Sequence, residues 1–339
     1  MAYIPAEELT YQRLKQLDFQ KTVCLQSVSA LEVHGPHLPL GMDYFMARWM
    51  AEESGRRFAQ RHPDWTVVQM PHLPVGTDEL PAPGSINVRP RALYRVLWDQ
   101  GRSLVRAGFR FIVLTNGHGG PRHAAAIEYV CQKISRRYGV QMFSPAILAL
   151  HRIITGQRFA RVEELLGRSL TAEEKAGLVG GEHAGGWETA FALAAFPGVV
   201  EKNWKELGLL RPPAFRPMAW LGEALAARWE AHGRDASKLR ELFGGLANSI
   251  GWLCNARYGY GGPLVTYSGN PSVASVELGH AFREAMVEEC LAEIEAVTSG
   301  QKDATEVRSI ASDHGVIQPR FWERLAWAAA IVLALVWWR

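Results

Sequence analysis

The chain has 339 residues, 48% of them hydrophobic, enough to bury one large core or two modest ones, and nothing in this composition indicates disorder. Its formal charge of +3 is spread along the chain, with Lys and Arg interleaved among Asp and Glu, so no basic block points to a nucleic-acid partner. Four cysteines (Cys24, Cys131, Cys254, Cys290) lie far apart without CxxC spacing, which suits reduced, buried thiols and a cytosolic compartment.

The start, "MAYIPAEELTYQRLKQLDFQ", has no charged segment followed by an apolar run, so no secretory signal is expected. Residues 22–33, "TVCLQSVSALEV", are rich in β-branched and small apolar residues and predict a buried strand with a break near Ser27. A helix follows from Tyr44, placing Met46, Trp49, Met50 and Phe58 near helical spacing. "WTVVQMPHLPV" predicts a second strand, and "RPRALYRVLWDQGRSLVRAG" a helix closed by Gly108. "FRFIVLTNGHGG" then reads as a hydrophobic strand ending in glycines, "RHAAAIEYVCQKISRRYG" as a helix, and "VQMFSPAILAL" as another strand.

Strand, glycine turn, helix, strand is the pattern of a parallel sheet with crossover helices. In such sheets ligands gather at the carboxyl ends of the strands, so the segments 32–43 and 116–120 should meet at one edge. Residues 198–262 are rich in Arg and Trp, with helical stretches such as "AWLGEALAARWEAHG" and "ASKLRELFGGLANSIGWLC", and are assigned as a helical insertion. A turn-rich loop at 259–279 precedes the amphipathic helix "HAFREAMVEECLAEIEAVTSG", which closes a body spanning 1–298.

A polar linker, 299–320, leads to a hydrophobic tail, 321–339. The apolar run "LAWAAAIVLALVWW" has 14 residues. At about 1.5 Å per residue it covers about 21 Å of a hydrocarbon core about 30 Å thick, so spanning also needs Phe321 and Trp322. Flanking tryptophans (Trp322, Trp327, Trp337, Trp338) and arginines (Arg320, Arg324, Arg339) suit membrane interfaces. A run with no polar face favours membrane anchoring over a terminal helix docked on the body.

Three clusters carry chemistry. Glu32 and His34 are one residue apart, so on an extended strand both face one side, and Asp43 returns after bends at Gly35, Pro36 and Gly41. Two carboxylates and an imidazole form a mixed oxygen and nitrogen set suited to Zn, Mn or Fe(II). His37 reads as a supporting or structural residue. His118, in "TNGHGG", follows a buried strand, where glycines let backbone approach a site; alone it is equally a hydrogen-bonded loop histidine. In "GEHAGGWETA", His183 and Glu188 stand five residues apart; alone, Glu188 reads as a first-turn helix carboxylate.

Taken together, "EVHGPHLPLGMD", "NGHGG" and "EHAGGWET" resemble the creatininase (creatinine amidohydrolase) family over residues 21–297, apart from the 198–262 segment, and "GNPSVASVELG" looks like that family's late loop. The resemblance implies an α/β fold, a three-layer α/β/α sandwich with a mostly parallel sheet, and a site for two divalent metals per subunit. It makes Glu32 a ligand of one ion, His34 of the other, Asp43 the bridging carboxylate and His118 a further ligand. Creatininase carries a glutamate two positions after the loop histidine. Here that position is Gly120, and the resemblance hands the missing carboxylate to Glu188.

The segment "PVGTDELPAPGSINV" departs further, with Asp78 and Glu79 near where the family carries a serine and a histidine. Val179 stands at the family's substrate-stacking tryptophan. Creatinine is therefore not the expected substrate. A metal-activated water attacking a carbonyl needs a partner for its proton. His183 is the candidate general acid or base, alongside Glu188, against the alternative of a structural histidine pairing with Glu188 or Glu182.

The expected activity is hydrolysis of a small cyclic or linear amide. Alternatives are hydrolysis of a carbon–carbon bond in a cyclic ketone, or a non-catalytic, membrane-tethered assembly protein. Asp78, Glu79, Arg152 and Arg211 are available to a charged substrate. "NGHGGP" lacks the G-x-G-x-x-G spacing of a dinucleotide site. The resemblance also implies a homo-oligomer, often a hexamer, here held to the inner face of the membrane by its tails.

Overall fold

A computed structural model describes residues 2–178 and 183–309. The chain opens with strand β1 (Ala2–Pro5) and the short helix α1 (Tyr11–Lys15). It continues through β2 (Thr22–Ser27), α2 (Met42–Arg61), β3 (Thr66–Gln69), α3 (Pro90–Ala107), β4 (Phe111–Thr115), α4 (Pro121–Tyr138) and β5 (Gln141–Phe143). Six further helices follow: α5 (Pro145–Ile154), α6 (Phe159–Leu166), α7 (Ala172–Leu178), α8 (Gly186–Ala195), α9 (Arg216–Glu230) and α10 (Ser237–Tyr258) precede the last, α11 (Val276–Thr298), among those of the described residues.

The long closing helix α11 is capped by Ser275, whose hydroxyl accepts from the Leu278 amide. The strands form one sheet in the order β1-β3-β2-β4-β5, with every pairing parallel. Parallel neighbours require crossovers, and α2, α3 and α4 supply them.

Both faces of this sheet are apolar, as a doubly covered parallel sheet requires. Cys24, Val68, Ile112 and Leu114 pack against Leu93, Leu97 and Leu104 of α3 and Ile127, Val130 and Ile134 of α4. Val23, Leu25, Val67, Val113 and Phe143 face the other way, onto Phe58 of α2 and Leu291 and Ile294 of α11. Beyond them α2, α5, α8 and α11 share a third cluster around Met46, Trp187, Phe191 and Phe282. Each such side chain contributes on the order of 1.5–3 kcal/mol when fully buried.

Two predicted strands are shorter than expected. The one at 22–33 stops at Ser27, and residues 28–33 run on as irregular chain still tied to the sheet by Val28 N to Thr115 O at 2.9 Å. The one at 140–150 breaks after Phe143, because Pro145 takes the first position of α5. In the insertion, α9 packs chiefly on α10, and Gly222 makes the room for Phe243.

Past α11 the chain lies against the body as far as the description reaches. The Ala304 amide donates to Gln141 Oε1 at 2.7 Å and the Ser309 amide to Glu128 Oε1 at 3.0 Å. The expected hydrophobic tail, 321–339, lies outside the described residues. Among the described residues no helix is long and apolar enough to cross a membrane.

Candidate metal centre

Three elements deliver the site at the carboxyl edge of the sheet. The chain leaving β2 brings Glu32 and His34, the first turn of α2 brings Asp43, and the turn leaving β4 brings His118. The two turns are locked together. Ser29 donates its hydroxyl to Asn116 Oδ1 at 2.9 Å while accepting from the Gly117 amide, and Asn116 Nδ2 donates to the His118 carbonyl at 2.6 Å. Gly117 is required there, because a Cβ would run into the Asp43 carbonyl. Glu188 arrives from the first turn of α8, and Glu32, His34, Asp43, His118 and Glu188 are all buried.

Asp43 sits at the centre of the arrangement. Its Oδ1 is 3.2 Å from His34 Nε2 and its Oδ2 is 3.1 Å from His118 Nδ1. Glu32 Oε2 is 2.9 Å from His118 Nδ1, and Glu188 Oε2 is 3.7 Å from His34 Nε2. Three sets of side chains each present one ligand atom within 4.8 Å of the others: Glu32, Asp43 and His118; His34, Asp43 and Glu188; and Glu32, His34 and His183.

Hydrogen bonds behind the imidazoles fix which nitrogen faces inward. His34 Nδ1 donates to the Glu32 carbonyl at 3.0 Å, His118 Nε2 to the Thr77 carbonyl at 3.0 Å, and His183 Nε2 to the Val33 carbonyl at 2.7 Å. Each ring thereby points a lone pair into the cluster, the arrangement that outer hydrogen bonds give to metal-binding histidines. Glu32 Oε2, His34 Nε2 and Asp43 Oδ2 are buried and have no conventional hydrogen-bond partner among the described residues. Such atoms are costly unless a cation meets them.

The electrostatics agree. Burial opposes charge on His34, yet Asp43 and Glu188 outweigh it and lift the imidazole to about 10. Burial likewise opposes charge on His118, but Glu32 and Asp43 hold it well above its ordinary range. Burial raises Glu188, against the pull of His34 and His183. Three carboxylates in a dry pocket thus demand positive charge, and divalent ions supply it without trapping protons. The residues present fit two such ions.

Gly120 stands at the position where the resemblance to creatininase leads one to expect a glutamate. A Cβ there would collide with His118 Nε2 and with the Thr77 carbonyl that this nitrogen binds, so no side chain fits. Glu188 comes instead from the first turn of α8 to stand near His34. Its Oε2 also accepts from the Ala184 amide, and Ala184 adopts a left-handed φ of 50° to make that bond.

His37 is not brought to the cluster's ligand sets. It is fully buried and its Nε2 is 2.8 Å from Thr189 Oγ1, which supports α8. Glu182 and Val179 lie outside the described residues. Two neighbours had no signal in the sequence: Trp252, whose ring lies 5.4 Å from His183, and His123, 5.0 Å from His118. Trp252 comes from α10 in the insertion, so only the tertiary fold shows that the insertion reaches the site.

The family profile for creatininase, described as creatinine amidohydrolase, matches residues 7–294. The chain belongs to the creatininase family. A 3-dehydro-scyllo-inosose hydrolase of Thermotoga maritima is 29% identical over 203 residues, 57% of this chain and 55% of that protein. A mycofactocin precursor peptide peptidase of Mycolicibacterium smegmatis is 34% identical over 113 residues, 33% of this chain and 45% of that one. The chain thus spans about half the length of the curated relatives it matches. Among solved structures, a putative creatinine amidohydrolase from Bacteroides fragilis superimposes with a TM-score of 0.55 at 20% identity, covering 88% of this chain and 97% of its own. A creatininase described with Mn superimposes at 0.54 and 20% identity, covering 88% and 99%. These likenesses establish the fold.

Proposed function

We propose that this creatininase-family chain is a metal-dependent hydrolase that cleaves a C–N bond of a small amide other than creatinine. The observation that carries the reading is the sharing of Asp43. One oxygen of this carboxylate faces His118 and the other His34, and each of these histidines also meets a glutamate, Glu32 or Glu188. On this reading Glu32, Asp43 and His118 hold one divalent ion, and His34, Asp43 and Glu188 hold the second. When bound, such a pair supplies a water acidified towards neutrality and a Lewis acid for the carbonyl oxygen.

The protein's own part is proton handling and exclusion of water. His183 is half-buried, its Nε2–H is committed to the Val33 carbonyl, and its ring lies 4.2 Å from that of His34. The remaining nitrogen, Nδ1, takes the proton released as water adds to the carbonyl carbon, and returns it to the leaving nitrogen. Trp252 stands edge-to-face with that imidazole and on this reading limits the access of bulk water.

A second reading keeps the same centre and hydrolyses a carbon–carbon bond of a cyclic ketone. The likeness to the Thermotoga maritima hydrolase favours it. We also propose that the chain assembles as a homo-oligomer, in the family's manner a ring, attached to a membrane by 321–339. Elemental analysis of the purified full chain tests the centre: about two Zn, Mn or Fe ions per chain are expected, falling to about one in Glu188→Gln. Less than one ion per chain, with no loss in Glu188→Gln, would point to a non-catalytic protein. Profiling the loaded protein on amides and cyclic ketones separates the two reactions.

A further inference from the structure

The sequence offers Asp78, Glu79, Arg152 and Arg211 to a charged or polar substrate, and the structure ranks them. Asp78 is engaged by Arg122, through both its guanidinium and its backbone amide, at the start of α4. Arg152 is held by Glu289 of α11. Arg211 stands exposed on the insertion. Glu79 alone is 3% exposed with neither carboxyl oxygen meeting a hydrogen-bond donor from another residue among the described residues.

Its location ties it to the centre. The turn from Gly76 to Leu80 is fastened at two points: the Thr77 carbonyl accepts from His118 Nε2, and the Leu80 amide donates to Glu32 Oε1 at 2.5 Å. Glu79 lies between these two anchors, and its carboxyl rests over Gly76 and beside Ala30, where a Cβ at 76 would strike it. The charges of His118 and Glu32 both act on it. Glu32 therefore has Glu79's turn on its Oε1, while its other oxygen meets His118 Nδ1 at 2.9 Å. A folded protein rarely buries a carboxyl that receives no donor from the residues around it unless a ligand brings one.

We infer that Glu79 is a substrate-binding residue, accepting hydrogen bonds from hydroxyl or amino groups carried beside the scissile carbonyl. This rests on the hydrolase reading and narrows it: the substrate is a small carbonyl compound with a donor adjacent to the carbonyl, and its unsubstituted analogue binds poorly. A site built to accept a hydrogen bond discriminates strongly against the analogue that lacks the donor. Asp78 cannot take this role while it holds Arg122.

The test uses the Mn²⁺-loaded full-length chain and two matched pairs of probes, glycolamide with propanamide and 2-hydroxycyclohexanone with cyclohexanone. Their affinities are read from paramagnetic relaxation of the probe protons. The hydroxylated member of at least one pair is expected to bind fivefold or more tightly to the wild type, with the ratio falling to about one in Glu79→Leu. That variant is expected to keep its Mn²⁺ stoichiometry and to melt at a higher temperature, since it removes an unpartnered buried carboxyl.

A wild type without hydroxyl preference, or a preference that survives in Glu79→Leu, overturns the inference alone. Loss of Mn²⁺ or a lower melting temperature in Glu79→Leu also overturns it, by assigning Glu79 to the ions or the fold. A wild-type chain that takes up no Mn²⁺ overturns the hydrolase reading, and the inference falls with it.

Discussion

Asp43 owes its position to helix geometry. It lies in the first turn of α2, where the helix dipole favours a carboxylate, and its two oxygens reach histidines from two different turns. If one carboxylate serves both ions, removing its charge harms both, whereas Glu188 serves one. Asp43→Asn is therefore expected to weaken both Mn²⁺ binding steps by at least about tenfold in calorimetric titration, and Glu188→Gln only one. The types and order of these residues were legible in the sequence, because Glu32, His34, Asp43, His118 and Glu188 occur in compact motifs. Their supports were not: the carbonyls of Thr77 and Val33, which set two ring orientations, carry no side-chain signature. Glu79 makes a separate prediction about pH. Burial raises its carboxyl to about 7, above the value it has when unfolded, so the folded chain binds that proton more tightly. The penalty of ionising it is absent at low pH, develops as pH rises through the unfolded carboxyl's range, and is complete above about 7. Glu79→Gln should thus gain stability over the wild type on going from pH 5 to pH 8, by on the order of 2 kcal/mol, read from urea melts.

Helix α11 binds the layers because it touches both the sheet and α8. At their crossing, Gly279 lies so near the Ala190 carbonyl that a Cβ would overlap it, and Leu278 and Phe282 flank the contact in the core. Backbone cannot yield as a flexible side chain does. Gly279→Ala should cost about 1–3 kcal/mol by forcing α11 off α8, and should lower the urea midpoint without changing the slope. It should also loosen Mn²⁺ binding through Glu188, which α8 carries. In the sequence this glycine merely closes "GNPSVASVELG", read for its likeness to the family's late loop, and the steric reason for it comes from the structure. Elsewhere at this scale the sequence was less legible. The apolar runs of β2 and β4 and the glycines after α3 and α4 marked their elements, although β2 stops at Ser27. "PAILALHRII" did not, since a run apolar on every side has no period to separate helix from strand, and burial in the third cluster made it α5. The edge strand β1 escaped notice because four residues pairing with β3 acquire their meaning only from the partner.

At the scale of the molecule, the arrangement confines the metal-capable cluster to one edge of the sheet. The described chain reaches Ser309 fastened to α4, on the sheet face away from α2 and α11. The 14-residue apolar run that follows in the sequence is shorter than a hydrocarbon core about 30 Å thick, so one copy would hold a bilayer weakly. Copies joined in one assembly bind together: once the first tail is seated, the others act at an effective concentration far above bulk, and weak attachments multiply. Attachment should then depend on both tail and assembly, while the metal centre, built wholly from residues 32–188, depends on neither. Deleting 321–339 is expected to move the protein from the membrane pellet to the soluble fraction, with its ion content and its mass by light scattering otherwise unchanged. Full-length protein that stays in solution without detergent after ultracentrifugation would show that the run docks on protein instead of lipid.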